Sequence, residues 1–181
     1  MNRFLLVVLG LCALAGGCSD SSPIGPSDGT RATTTFTVPL SPANEVPAIT
    51  NADASASGTA TIALIVTRDA SGNITSASAN FQIAVAGFPA GTTVTDAHVH
   101  SAPSGANGGV SINTTLASGE LTITNGSGSI TKNGINVPAD RAAAILGNPA
   151  GHYFNVHTAL NPDGAVRGQL SAGTTVSDPG Y

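Results

Sequence analysis

The chain has 181 residues, 41% of them hydrophobic, 9% charged and 4% aromatic, with 22 Gly and 11 Pro. That length fits one domain with tails, and the low charge argues against a disordered chain. Six Lys and Arg against ten Asp and Glu supply no basic stripe, so no nucleic-acid partner is expected.

Residues 1–18 read MNRFLLVVLGLCALAGGC. Arg3 gives a positive start, residues 4–14 are apolar, and Ala15, Gly16 and Gly17 are small enough for a peptidase site. The apolar run is too short for a permanent spanning helix. A cysteine directly after small residues resembles a bacterial lipobox, with 1–17 as signal peptide and Cys18 lipidated at the mature N-terminus. An ordinary signal peptide cut near Gly17 is the alternative. Residues 18–32 are rich in Ser, Pro, Gly and Asp and read as a flexible tether. The expected location is the bacterial cell envelope, touching the membrane through the lipid anchor only. Ser19 after the cysteine resembles the outer-membrane class. Cys12 leaves with the signal and Cys18 carries lipid, so the mature domain has no disulfide and no cysteine nucleophile.

A domain over 33–172 follows, then a tail at 173–181. Strands are expected at 34–40, 59–67 and 74–86, with the turn cluster Asp69 to Asn73 closing a hairpin between the last two. Further strands are expected at 94–102, 110–116, 153–159 and 166–171. Residues 120–124 and 127–131 flank Asn125-Gly126, a hairpin signal. Residues 138–146 (PADRAAAIL) form a helix candidate, opened by Pro138 and stopped by Gly147 and Pro149. The fold expectation is all-β: an antiparallel, Greek-key-like sandwich or barrel of about 8–9 strands with one short helix near 138–147.

Short motifs run through this body in order. They are Asn44-Glu45-Val46-Pro47, Gly58-Thr59-Ala60, Ala97-His98-Val99-His100 with Gly105-Ala106-Asn107-Gly108, Tyr153-Phe154-Asn155-Val156-His157-Thr158, and Arg167-Gly168-Gln169-Leu170. Together they resemble the CHRD domain, the module named after chordin, over roughly 33–171. Ala165 stands where that family often has Glu, and Phe154 where Val or Ile is frequent. The resemblance implies a secreted bacterial module and carries no defined activity.

The sharpest chemical signal is in the histidines. Residues two apart on a strand share a face. With Ala97 and Val99 turned to the core, His98 and His100 point away from it together. With Phe154 and Val156 inward, His157 points outward beside Tyr153 and Asn155. His152 has the parity of Phe154 and is expected to stay apart. Three imidazoles suit copper or zinc. Asp96 shares their face and could be a further ligand or, like Asn155, a hydrogen-bond partner that orients a ligand ring. The His-x-His pair with a distant third His is also similar to the copper side of copper–zinc superoxide dismutase. No bridging histidine, zinc loop or disulfide accompanies it here, so that activity is not carried over.

Glu45 and Arg167, scarce charges in neutral surroundings, are expected to pair and clamp the ends of the domain; the alternative has Arg167 guiding an anion to the histidines. The turns at Asp69 to Asn73 and Asn161 to Gly164 lack the carboxylate density of calcium loops. Three readings stand: an envelope lipoprotein binding copper or zinc through His98, His100 and His157; a structural or adhesive module with the histidines in a hydrogen-bond network; and a metal-dependent redox enzyme. No catalytic residue is assigned, and an enzyme is the less favoured reading.

Overall fold

The computed structural model describes residues 29–178; the expected signal peptide, Cys18 and most of the tether lie outside the described residues, as do residues 179–181. Period-two alternation builds the first sheet. Its long strands are β1 (Thr30–Leu40), β2 (Ser57–Arg68) and β3 (Ile74–Ala86). Phe36 and Val38, Ile62 and Leu64, and Phe81 and Ile83 all point to one buried side. β1 pairs with β2 along its whole length, from Thr30 opposite Arg68 to Leu40 opposite Gly58.

The chain then crosses to a second layer for β4 (Val94–Ser101) and β5 (Gly109–Asn113), and returns for β6 (Gly128–Asn136). Helix α1 (Ala139–Gly147) precedes β7 (His152–Thr158), β8 (Val166–Gln169) and β9 (Thr174–Asp178). The two antiparallel sheets have orders β6-β3-β2-β1-β9 and β5-β4-β7-β8. They are separate layers, a sandwich rather than a barrel. Phe81 of the first sheet stacks on Phe154 of the second, ring centroids 5.9 Å apart. That contact pins the sheets together at the centre of the core. Ala142 and Ile145 give α1 its buried side, and the helix packs against β3.

Three expectations need correction. Residues 120–124 form no strand. Asn125 and Gly126 do take the positive φ values of a tight turn, 50° and 81°, but only one bridge, Thr124 to Ser127, closes it. Leu121 is buried in the core instead, and the strand that follows the turn runs on to Asn136 beside β3. Residues assigned to the tail, Thr174–Asp178, add a fifth strand against β1. β1 itself starts at Thr30, inside the stretch read as tether. Among the described residues, no helix is long and apolar enough to cross a membrane.

Candidate metal centre

β4 begins with a register irregularity between Val94 and Asp96. Val94 and Ala97 therefore both face inward and are fully buried, although they are three positions apart and a regular strand would put them on opposite faces. Against β7 the register is then regular from Asp96 to Ser101, while a second shift lies between Val99 and His100 against β5. Asp96, His98 and His100 turn to the outer side, as bulges commonly re-aim side chains. β7 pairs with β4 so that Asp96 faces His157, His98 faces Asn155 and His100 faces Tyr153. His98 and His157 thus sit on a diagonal of the ladder, close enough for long side chains to meet.

The structure brings His98, His100 and His157 together. One ring nitrogen from each lies within 4.8 Å of the other two. The closest pair is His98 Nδ1 and His157 Nε2, at 3.2 Å. Metal–nitrogen bonds of about 2 Å allow ligating nitrogens up to roughly 4 Å apart. A pair near the outer limit would close by less than ~1 Å on an ion, while the His98–His157 pair already fits.

The opposite ring nitrogens are already held. His157 Nδ1 donates to the Pro162 carbonyl at 2.9 Å, and His100 Nδ1 donates to the Gly108 carbonyl at 3.0 Å. His98 Nε2 lies 3.1 Å from Asp96 Oδ2. These contacts set the tautomers and leave His98 Nδ1, His100 Nε2 and His157 Nε2 as bare acceptors. His98 Nδ1 and His157 Nε2 then present lone pairs to each other. Shifting the His98 proton to Nδ1 relieves that contact, and Asn113 Nδ2 stands 3.2 Å from Nε2 to donate to it. The Asp96 carboxylate would then face a lone pair instead. Either neutral arrangement leaves one repulsive contact, which a cation between the rings removes. His100 Nε2 adds an orphan: it is buried with no hydrogen-bond partner among the described protein groups.

On His98 and His100, burial disfavours a proton in that role. Burial holds the proton affinity of His98 below the ordinary imidazole value; Asp96 opposes this, and the neighbouring His157 and His100 reinforce it. Burial also lowers His100, the Gly108 carbonyl opposes, and the charges of His157 and Arg167 lower it further. The donor set therefore includes two imidazoles, His98 and His100, that burial makes reluctant to bind protons.

The site is more enclosed than the expected outer patch. All seven residues of β7 are buried, on both of its faces. His100 and His157 are only 8% and 7% exposed. The cover comes from loops: Asn107 Nδ2 donates to the Val46 carbonyl at 2.7 Å, and Asn44 Nδ2 to the Arg167 carbonyl at 3.1 Å. A second clip lies below, where buried Asp53 accepts from Thr158 Oγ1 at 2.8 Å and Asn161 Nδ2 at 2.6 Å. His152 stays apart, its Nδ1 donating to the Asn148 carbonyl at 3.0 Å.

Two other site expectations change. Asn155 forms no hydrogen bond to a histidine ring; its amide donates weakly to the Asp163 carbonyl at 3.4 Å, and it lies beside Glu45. Gly164 (φ 135°) is wedged against both, and a Cβ there would collide with the Asn155 amide and the Glu45 carboxylate. Glu45 and Arg167 approach, but no direct ion pair within 4.0 Å forms; the pairs among the described residues are His98–Asp96, Lys132–Glu120 and Arg141–Asp140. Arg167 Nη1 donates to Asn107 Oδ1 at 2.8 Å, and its guanidinium lies over the Tyr153 ring, 4.3 Å from the centroid. At 2% exposure it cannot steer anions from solution. Burial pushes the Glu45 carboxyl up to about 7, with Arg167 and Asn155 pulling the other way.

Tyr153 is the residue that sequence reasoning passed over. Its ring lies flat on His100, 4.9 Å away and tilted by 6°, and its hydroxyl accepts from the Gly108 amide at 3.3 Å. The available signal was its shared parity with His157 on β7.

The family model of the CHRD domain matches residues 36–170. The chain belongs to the CHRD domain family. No curated protein and no solved structure matches it. The matched span includes the whole site, from Glu45 through the three histidines to Arg167.

Proposed function

We propose that this CHRD domain binds one transition-metal ion, copper or zinc, through His98 Nδ1, His100 Nε2 and His157 Nε2. The observation that supports this most is the pairing of convergence with anchoring. Three ring nitrogens meet within 4.8 Å, while Asp96, Gly108 and Pro162 hold the other side of each ring. Carboxylates and carbonyls behind ligand histidines are the usual supports of metal sites. Imidazole donors suit copper and zinc over magnesium or calcium. When bound, the ion supplies a Lewis acid, and copper also a one-electron store. The protein's part is to keep the three rings oriented and largely closed to water, and to disfavour protons on His98 and His100.

A purely structural histidine network is the competing reading. It leaves His100 Nε2 buried without a partner and the His98–His157 contact without a satisfactory tautomer. Thermal melts with and without added Cu(II) or Zn(II), and after chelation, separate the two. Metal binding predicts a rise in melting temperature with metal that the chelator abolishes. A melt indifferent to metal and chelator supports the network.

The N-terminal stretch supports an envelope lipoprotein, with Cys18 lipidated and 18–32 as tether. Replacing Cys18→Ser tests this: membrane-fraction recovery should be lost. Recovery equal to the parent contradicts anchoring at this cysteine.

A further inference from the structure

Arg167, Tyr153 and His100 form a three-layer stack. The guanidinium lies 4.3 Å from the Tyr153 centroid, and Tyr153 lies parallel to His100 at 4.9 Å. All three are buried. No carboxylate comes within ion-pair distance of Arg167; its side-chain acceptor is the neutral Asn107 amide oxygen. The chain has only six Lys and Arg in all, and this one is spent under the centre. Clamping Tyr153 explains a flat aromatic partner for His100. It does not explain why the clamp carries a buried charge.

We propose that Arg167 is a positioning residue of the three-histidine centre whose fixed charge, held by Tyr153 behind His100, biases the site toward monovalent over divalent ions, and so toward cuprous over cupric copper. The proposal rests on the metal-binding reading above. The physical basis is direct. A fixed positive charge repels each added unit of charge on the ion, so Cu(II) is penalised more than Cu(I). At roughly 10 Å and an effective dielectric of about 20, one such unit is worth on the order of tenfold in affinity. Asp96, behind His98 on the opposite side, acts with the other sign, and Glu45 is the remaining ionisable neighbour of the stack. Arg167 itself pulls the Glu45 carboxyl down, so removing it also shifts the charge on Glu45. The bias is therefore read as the change on altering Arg167 in a Glu45→Gln background.

The test measures Cu(I) and Cu(II) affinities of the purified chain by competition with chelators selective for each ion. Arg167→Gln keeps a donor for Asn107 and removes the charge; the Cu(II)-to-Cu(I) affinity ratio should rise about tenfold. Arg167→Lys keeps the charge and should stay close to the parent. Asn107→Asp leaves Arg167 in place, sets a carboxylate against its Nη1 and gives up the donor to the Val46 carbonyl. It should move the ratio in the same direction as Arg167→Gln, while Asn107→Leu, which loses the same donor and adds no charge, should not. Asn107 is exposed, so Asn107→Asp carries the test even where Arg167→Gln does not fold. If Asn107→Asp leaves the ratio unmoved, or Arg167→Lys shifts it as far as Arg167→Gln, the charge role is wrong and metal binding stands. A parent that binds neither ion overturns the metal reading itself.

Discussion

Replacing Glu45→Gln should stabilise the domain at neutral and alkaline pH and do nothing of the kind at pH 4. Glu45 is 7% exposed and its Oε1 is buried without a partner. Its carboxyl is pushed from an ordinary 4.5 to about 7, mainly by burial. The folded state therefore holds a proton between pH 4.5 and 7 that the unfolded chain has released. Below 4.5 both states are protonated and the group costs nothing. As pH rises from 4.5 to 7 stability is lost, and above 7 the loss is complete. One pKa unit corresponds to about 1.4 kcal/mol, so the full loss is at most roughly 3 kcal/mol. Glutamine keeps the shape and carries no charge, so it removes the loss. The assay is urea unfolding of parent and variant from pH 4 to 8.5. The difference between the two should widen across 4.5–7 and then level off. A difference that stays constant over that range refutes the assignment of a buried, unpaired carboxyl.

Glu45→Gln also exposes the histidine contribution, which has the opposite sign. His98 and His100 are lowered in the folded state, so the metal-free domain should lose stability as pH falls below about 6.5, where only the unfolded chain takes up protons. In the parent, Glu45 offsets this between 4.5 and 6.5. The fall should appear in the Glu45→Gln background by urea unfolding, and its absence there contradicts the burial of these rings. Asp96→Asn should weaken Cu(II) or Zn(II) binding about 10- to 100-fold by chelator competition. An unchanged affinity means that the Asp96–His98 contact does not support a ligand. Phe154→Ala removes the ring that meets Phe81 across the sheets and should cost about 3–5 kcal/mol in urea unfolding. A loss under about 1 kcal/mol contradicts the central role of that stack.

Much of this arrangement was legible in residue order because strands convert sequence spacing into sides. His98 and His100 are two apart between apolar Ala97 and Val99, and His157 follows Val156 in the same alternation. What escaped was non-local. The irregularity at Val94 to Asp96 leaves no clear mark in the sequence, yet it sets the parity of everything after it. The cover over the histidines comes from loops around Val46, Asn107 and Pro162, distant in sequence, so an expected surface patch is an enclosed site. Residue order pointed Arg167 to Glu45, and only the folded loops set it against Asn107. Thr174–Asp178 is exposed throughout and lacks the apolar alternation that betrays a strand. The Asn125-Gly126 turn was readable, but its first arm was not a strand, because Leu121 goes to the core.

The most direct test of the central claim is metal stoichiometry. The purified chain is loaded with Cu(II) or Zn(II), freed of excess metal by gel filtration, and analysed for bound ion. The parent should retain about one ion per chain, and His98→Ala and His157→Ala should retain almost none while staying folded. Variants that carry as much metal as the parent, or a parent that carries none, contradict the three-histidine site.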